Sequence, residues 1–385
     1  MKLLWKIIIK FFKWTFYILL FVIIGIVIFI NTSSEFGGSP SDEEMVEFEK
    51  TGHYKEGQFQ NYHQTSRGFS WDVFWSTMKE YYKDNPNRDP AVKVPFIKQD
   101  STQLEITKQV SKLIWFGHSA FLLQLDGRNI LLDPMLGETP SPVKWLSRPR
   151  YNDHLPLEIA ELPAIDFVFI SHDHYDHLDY ETIEQLYAKV KHFVVPLGVG
   201  AHLKAWGIED EKIHEYDWWT DDEIEGLKFA FAPTRHFSGR GVLNHNSTLW
   251  GSWIIKGEHQ KIYFSGDGGY DDHFKKIGEK YGPFDIAMVE CGQYNKNWKQ
   301  IHMQPEESAQ AIKDLNAKVG VPIHWGAFTL SLHDWYEPPV RIKEAADSIG
   351  VRVVTPKIGE IMNLDSITIG YNPWWESIKP EIQKQ

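Results

Sequence analysis

A mixed, layered α/β fold is what this sequence predicts, and three observations carry that expectation. Short apolar runs rich in β-branched and aromatic residues recur at 165–170, 229–235, 261–266 and 319–323, each of a length that suits a buried strand. Stretches of helical character lie between them, at 180–190 behind Asp179 as a cap and at 305–316 opening with Pro-Glu-Glu. Alternation of that kind argues against an all-β architecture. Directly behind the apolar runs stand histidines and aspartates, and α/β proteins gather functional groups at the carboxyl ends of strands.

The first element expected from the N-terminus is a membrane-spanning helix. Residues 14–30 are seventeen in number and apolar except for Thr15. About twenty residues span the hydrocarbon of a bilayer. Residues 3–14 extend the run, with Lys2, Lys6, Lys10 and Lys13 snorkelling from one face. No Lys or Arg occurs between Asn31 and Glu49, whereas Glu35, Asp42, Glu43, Glu44, Glu47 and Glu49 do. That asymmetry predicts a single-pass protein with its N-terminus in the cytoplasm and the rest of the chain outside. A cleaved signal peptide is the alternative, but no small-x-small site follows Ile30, so an uncleaved anchor over residues 1–31 is expected. Residues 32–44 read as a polar linker and residues 45–104 as an extension packing on the main domain, 105–385. Within the extension, Trp71, Phe74 and Trp75 suggest first a small helix packed on the domain and second an apolar lip for lipid. Residues 371–375 carry the same ambiguity.

A chain of 385 residues with 42% hydrophobic content can bury a large core, and it contains no internal repeat or low-complexity tract. Its net charge of −12 argues against duplex nucleic acid as a partner, because phosphate binding needs a basic surface. The single cysteine, Cys291, excludes an internal disulfide and reads as a small buried hydrophobe rather than a nucleophile.

The densest chemical signal is Ser171-His172-Asp173-His174-Tyr175-Asp176-His177-Leu178-Asp179. His172, His174, Asp176 and His177 are four potential metal ligands within six residues. Histidines at i and i+2 leaving a strand point to one side, and the Asp-His pair after them can turn back to reach a second ion. Imidazole nitrogen and carboxylate oxygen suit zinc best, ahead of manganese or iron. One loop cannot complete a two-ion site, so further ligands are expected behind the other strands: His236, Asp267 and His324. Asp267 sits in Gly266-Asp267-Gly268-Gly269, where glycines permit close backbone approach. A carboxylate with two oxygens is the natural group to bridge two cations.

An ordered series of segments carries a family resemblance. It runs Trp115-Phe116-Gly117-His118-Ser119-Ala120, Leu131-Leu132-Asp133-Pro134, the His-rich run, Asp217-Trp218-Trp219 and Thr234-Arg235-His236-Phe237-Ser238. It continues through Leu249-Trp250-Gly251-Ser252-Trp253, Gly266-Asp267-Gly268-Gly269-Tyr270, His302-Met303-Gln304-Pro305-Glu306-Glu307 and His324-Trp325-Gly326-Ala327-Phe328. Over roughly residues 105–365 the chain resembles the metallo-β-lactamase fold superfamily, and within it the N-acyl-phosphatidylethanolamine-hydrolysing phospholipase D branch. The His-x-His-x-Asp-His motif marks the superfamily. The Trp-Trp, Leu-Trp-Gly-Ser-Trp, His-Met-x-Pro-Glu-Glu and His-Trp-Gly segments narrow it to the branch.

The resemblance implies a four-layer αββα sandwich, two mixed sheets face to face with helices outside, and makes 105–385 a catalytic domain. It implies two zinc ions per chain, one held by His172, His174 and His236, the other by Asp176, His177 and His324, with Asp267 bridging. His118 and Asp133 would orient ligands rather than bind metal. Asp176 and His302 are assigned to catalysis, His302 donating to the phosphate or protonating the leaving oxygen. Arg240 is a further candidate for phosphate contact. The implied activity is hydrolysis of N-acyl-phosphatidylethanolamine to N-acylethanolamine and phosphatidic acid, by in-line attack of a zinc-activated water on phosphorus.

A metal-dependent lactonase or other hydrolase of a small polar substrate is the alternative, since the fold does not decide the bond cleaved. A non-catalytic surface protein with a structural metal is a third reading, opposed by seven ligands with open positions. The chain departs from the phospholipase pattern twice. Glu290-Cys291-Gly292-Gln293-Tyr294 replaces an apolar Pro-Ile-Gly-Ala-Tyr run, and Leu330-Ser331-Leu332-His333-Asp334-Trp335 replaces a more acidic turn. The partners expected are phospholipid and a membrane, not nucleic acid, with a homodimer left open.

Overall fold

The computed structural model describes residues 2–68, 70–104, 110–241 and 244–379. Helix α1 (Lys2–Thr32) contains the apolar run, buries none of its side chains, and is long and apolar enough to cross a membrane. Helix α2 (Asp42–Glu49) opens with a capping box between Ser41 and Glu44. A short hairpin, β1 (Tyr54–Lys55) and β2 (Gln58–Phe59), and helix α3 (Trp71–Tyr81), capped by Ser70, complete the extension.

Two large sheets follow. Strands β3 (Lys112–Trp115), β4 (Phe121–Leu125) and β5 (Arg128–Leu132) form an antiparallel meander. Strand β6 (Ile165–Phe169), helix α4 (Tyr180–Leu186), strand β7 (Val190–Pro196), helix α5 (Gly200–Ala205) and strand β8 (Ile213–Tyr216) extend the first sheet in parallel. The second sheet starts with the antiparallel strands β9 (Asp221–Ile224), β10 (Leu227–Ala232), β11 (Ser252–Lys256) and β12 (Lys261–Phe264). Helix α6 (His273–Tyr281) leads to β13 (Phe284–Glu290), and helix α7 (Pro305–Asp314) to β14 (Ala317–Ile323), both parallel additions. After helix α8 (Glu337–Ile349), strand β15 (Ile361–Asn363) returns to pair with β3.

Alternation of side chains along the strands builds the layers. Leu113, Trp115, Leu123, Phe167 and Phe169 of the first sheet share one buried cluster with Phe229, Phe231, Trp253 and Met288 of the second. Ile114, Leu122, Leu131 and Val168, of opposite parity, pack with Ile183 and Leu186 of α4 and Leu203 of α5. On the far side, Ala230, Ile254, Ala287 and Val289 pack with Phe274 of α6, Ile312 of α7 and Ile342 of α8. Helix, sheet, sheet and helix therefore stack in that order around two mixed sheets.

Several local expectations need correction. The helix expected over 180–190 ends at Leu186 and relaxes through a tight turn at Tyr187–Lys189, because Val190 opens β7, a central strand paired with β6. The helix expected over 305–316 stops at Asp314, and Asn316 takes a left-handed φ of 55°. Segment 32–44 is docked rather than loose. A Cβ on Gly37 would come within 2.3 Å of His202 Nδ1, and one on Gly38 within 2.4 Å of the Ala201 carbonyl, so α5 admits only bare backbone there. Trp374 and Trp375 are buried, which resolves 371–375 as core at that pair.

Candidate metal centre

The site forms where β3, β5, β6, β10, β12, β13 and β14 end. Three of its residues take left-handed backbone: His118 (φ 55°), Asp133 (φ 37°) and His324 (φ 69°). Such strain costs roughly 1–3 kcal/mol per residue and persists only where the surroundings over-determine it. Here the His118 N–H donates to the Trp325 carbonyl at 2.8 Å and the His324 N–H to the His118 carbonyl at 3.0 Å, tying the two sheets together at the site.

His172, His174 and His236 form one group. His174 Nδ1 lies 2.9 Å from His172 Nε2 and 3.3 Å from His236 Nε2. The rings are oriented from behind. His172 Nδ1 donates to Ser171 Oγ at 2.9 Å, the Ser171 hydroxyl donates to Asp133 Oδ2 at 2.5 Å, and His236 Nδ1 donates to the Ile301 carbonyl at 2.9 Å. The Nε2 lone pairs of His172 and His236 are thereby left for a cation. Burial pushes His172 and His236 well below the ordinary histidine range and His174 down to about 4. All three are therefore neutral at pH 7, as metal ligands must be.

Asp176, His177 and His324 form a second group, and His118 belongs to it. His118 was expected to orient ligands, and its Nε2 stands 2.9 Å from Asp176 Oδ2 with its ring 4.1 Å from that of His324. Asp133, fully buried, accepts from His177 Nδ1 at 2.6 Å. Burial lowers His177, but the Asp267, Asp176 and Asp133 carboxylates outweigh it and raise that imidazole well above its usual range. Burial raises Asp176, yet His177 and His118 hold it well below the carboxylate range.

Asp267 reaches both groups. Its Oδ2 is 3.1 Å from His177 Nε2 and 3.9 Å from the Nε2 atoms of His172 and His236, and its Oδ1 is 3.2 Å from His324 Nδ1. Burial lifts its carboxyl to about 7. Among the described residues Oδ1 finds no hydrogen-bond partner although it is buried, and the same holds for His118 Nδ1. An orphaned acceptor at the meeting point of imidazole and carboxylate clusters is satisfied by a cation. The residues present thus fit metal binding.

His302 lies against this centre, its ring parallel to that of His324 with centroids 5.4 Å apart. Its Nδ1 is hydrogen-bonded to Glu290, a residue that sequence reasoning registered only as a departure from pattern. A signal was available, because an acid closes the apolar run 286–289 as Asp267 and His324 follow theirs. Asp173 was also unassigned. It accepts from Gly239 N (2.7 Å), Thr248 Oγ1 (2.9 Å) and His202 Nε2 (3.2 Å), which pins the His-rich loop.

Arg240 does not meet the site as expected. It is buried over the Tyr175 ring and donates to the Asp173, Leu178 and Glu35 carbonyls at 2.6–2.9 Å. Loop carbonyls cannot pair with one another, and one guanidinium fork satisfies several at once.

Both groups open on a cavity of about 790 Å³. His174, Asp176, Asp267, His302 and His324 line it, together with Trp71, Phe74 and Met78 of α3 and with Phe237, Trp298 and Leu330.

Comparison with known proteins agrees with this geometry. Residues 128–325 match the family described as beta-lactamase superfamily domain. An uncharacterized protein of Mycobacterium tuberculosis is 37% identical over 338 residues, 85% of this chain and 88% of its own. The N-acyl-phosphatidylethanolamine-hydrolyzing phospholipase D 1 of Caenorhabditis elegans is 34% identical over 265 residues, 64% of this chain and 74% of that enzyme. Among solved structures, the metallo hydrolase Igni18 of Ignicoccus hospitalis aligns with a TM-score of 0.50 at 24% identity, over 66% of this chain and 98% of its own, a likeness of fold. The chain belongs to the beta-lactamase superfamily, as a metal-dependent hydrolase with relatives among the N-acyl-phosphatidylethanolamine-hydrolysing phospholipases.

Proposed function

We propose that this protein is a membrane-anchored, zinc-dependent phosphodiesterase that hydrolyses N-acyl-phosphatidylethanolamine-type phospholipid to N-acylethanolamine and phosphatidic acid. The cleft carries this reading. Cation-binding groups share a cavity of about 790 Å³ with aromatic and aliphatic side chains, a combination that suits an amphiphile with a phosphodiester beside hydrocarbon. In this reading α3 is the apolar lip, since Trp71 and Phe74 line the cavity while remaining exposed. Helix α1 keeps the chain at a bilayer, with the catalytic domain on the extracytoplasmic side. The worm relative named for this reaction adds support. A lactonase of small polar substrates calls for a narrow polar pocket, which these walls do not favour.

Two zinc ions, when bound, would supply Lewis-acid activation and charge neutralisation at phosphorus. His172, His174 and His236 would hold one, and Asp176, His177 and His324 the other, with Asp267 between. His302 would donate to the phosphoryl or leaving oxygen. The test is hydrolysis of N-acyl-phosphatidylethanolamine vesicles by the full chain in water enriched in heavy oxygen, with elemental analysis of bound metal. Label in phosphatidic acid supports attack at phosphorus. Label in the alcohol, or release of free fatty acid, means attack at carbon and favours the lactonase-like reading instead.

A further inference from the structure

Glu290 closes β13 and is fully buried. A buried carboxylate needs partners for both oxygens, and Glu290 has them. Its Oε2 accepts the Gly268 N–H at 2.7 Å, and its Oε1 is in a short hydrogen bond with His302 Nδ1. Gly268 adjoins Asp267, so one carboxylate ties the turn carrying Asp267 to the His302 imidazole. The same ring lies parallel to His324 and edge-on to His236 with centroids 5.2 Å apart, which leaves it little freedom to turn. With Nδ1 engaged, Nε2 is the ring nitrogen left for the cleft that His302 lines.

A carboxyl group can hold Nδ1 by accepting its N–H or by donating its own proton to it, and in the second arrangement Nε2 offers its N–H to the cleft. The phospholipase pattern has an apolar run at this place, so the resemblance does not supply the role.

We infer that Glu290 is a positioning residue that holds His302 as the proton donor to the leaving oxygen. The inference rests on the phosphodiesterase reading. A water oxygen bonds to phosphorus as the phosphorus–oxygen bond to the alcohol breaks. The electron pair of that bond stays on the leaving oxygen, which takes the proton from His302 Nε2. The proton lost by the attacking water returns to the pair through solvent, so diester and water become phosphomonoester and alcohol.

Glu290→Gln tests this. Its amide oxygen can keep the bond to Gly268 while its NH₂ donates to His302 Nδ1, so the shape and the Nε2 N–H survive, but no carboxyl proton can pass to Nδ1 as Nε2 gives its own away, and the imidazole becomes a far weaker acid. Two substrates are compared: N-acyl-phosphatidylethanolamine vesicles, whose alkoxide leaving group needs a proton, and a phosphatidyl p-nitrophenyl ester, whose leaving group does not. The expected kcat falls about a hundredfold on the first and stays within about threefold on the second, with bound metal unchanged. His302→Ala should show the same split, and the double variant should be no worse than His302→Ala alone. Equal losses on the two esters, no loss on either, or loss of metal in Glu290→Gln would reduce Glu290 to a prop for the Asp267 turn and overturn the assignment. A wild-type protein inert on both esters would overturn the phosphodiesterase reading and this inference with it.

Discussion

Asp133 accepts from His177 Nδ1 at 2.6 Å and from Ser171 through both its backbone N–H and its hydroxyl, at 2.7 and 2.5 Å. One buried carboxylate thus sets the rotation of His177 directly and of His172 through Ser171. Asp133→Asn, close in shape but uncharged, should weaken metal affinity about 10–100-fold, measured by competition with a chelator. Affinity equal to wild type would mean that packing alone orients the rings. Asp267 makes a stronger case because it reaches both groups. If the proposed two-ion centre holds, Asp267→Ala should abolish most activity and reduce bound metal to one ion or fewer, with circular dichroism unchanged. One ion or fewer in fully loaded wild-type protein would sink the two-ion arrangement. The candidate ligands were legible because four of them crowd one loop and the others directly follow apolar runs. Ser171 and Glu290 were not, since their roles depend on Asp133 and His302, neighbours that only folding supplies.

At the scale of elements, the turn after α1 is built into the loop that bears the ligands. Arg240 joins the Glu35 carbonyl to those of Asp173 and Leu178, Trp206 Nε1 donates to the Ser34 carbonyl at 2.7 Å, and the Phe36 ring meets Tyr175 edge-on. Arg240→Ala leaves buried carbonyls unpaired and should destabilise the chain by about 3 kcal/mol. Urea unfolding reads that loss, and Arg240→Lys should recover only part of it because an ammonium lacks the planar fork. A loss within about 0.5 kcal/mol would show that the dock contributes no stability. In the proposed reading helix α3 bears on specificity instead. Removing the Trp71 and Phe74 rings together should raise KM for long-chain lipid roughly tenfold or more through lost apolar contact, leaving a short-chain soluble diester unaffected. Equal effects on both substrates would remove α3 from the acyl site.

For the whole molecule, the docked turn makes a distinction that a loose tether would not. A chain beginning at Ser33 should fold and load metal without α1, whereas one beginning at Met45 should lose stability and metal together. Equal behaviour of the two would mean that segment 34–40 adds nothing to the centre. A reporter fused after Gln385 that works only outside the cytoplasm should be active, and a signal confined to the cytoplasm would show the lysine asymmetry misread.

By itself the sequence determined the mixed α/β class, the apolar N-terminal helix and the His and Asp side chains that crowd the candidate site. All three are written in local patterns of hydrophobicity and spacing, which survive without tertiary context. Only the tertiary structure decided that Val190 leaves its helix for a strand, that Arg240 clamps a loop rather than facing substrate, and that His118 hydrogen-bonds Asp176. It also paired Glu290 with His302. Each of these depends on partners distant in sequence, because burial in a shared core, rather than local preference, determines which polar atoms must find one another.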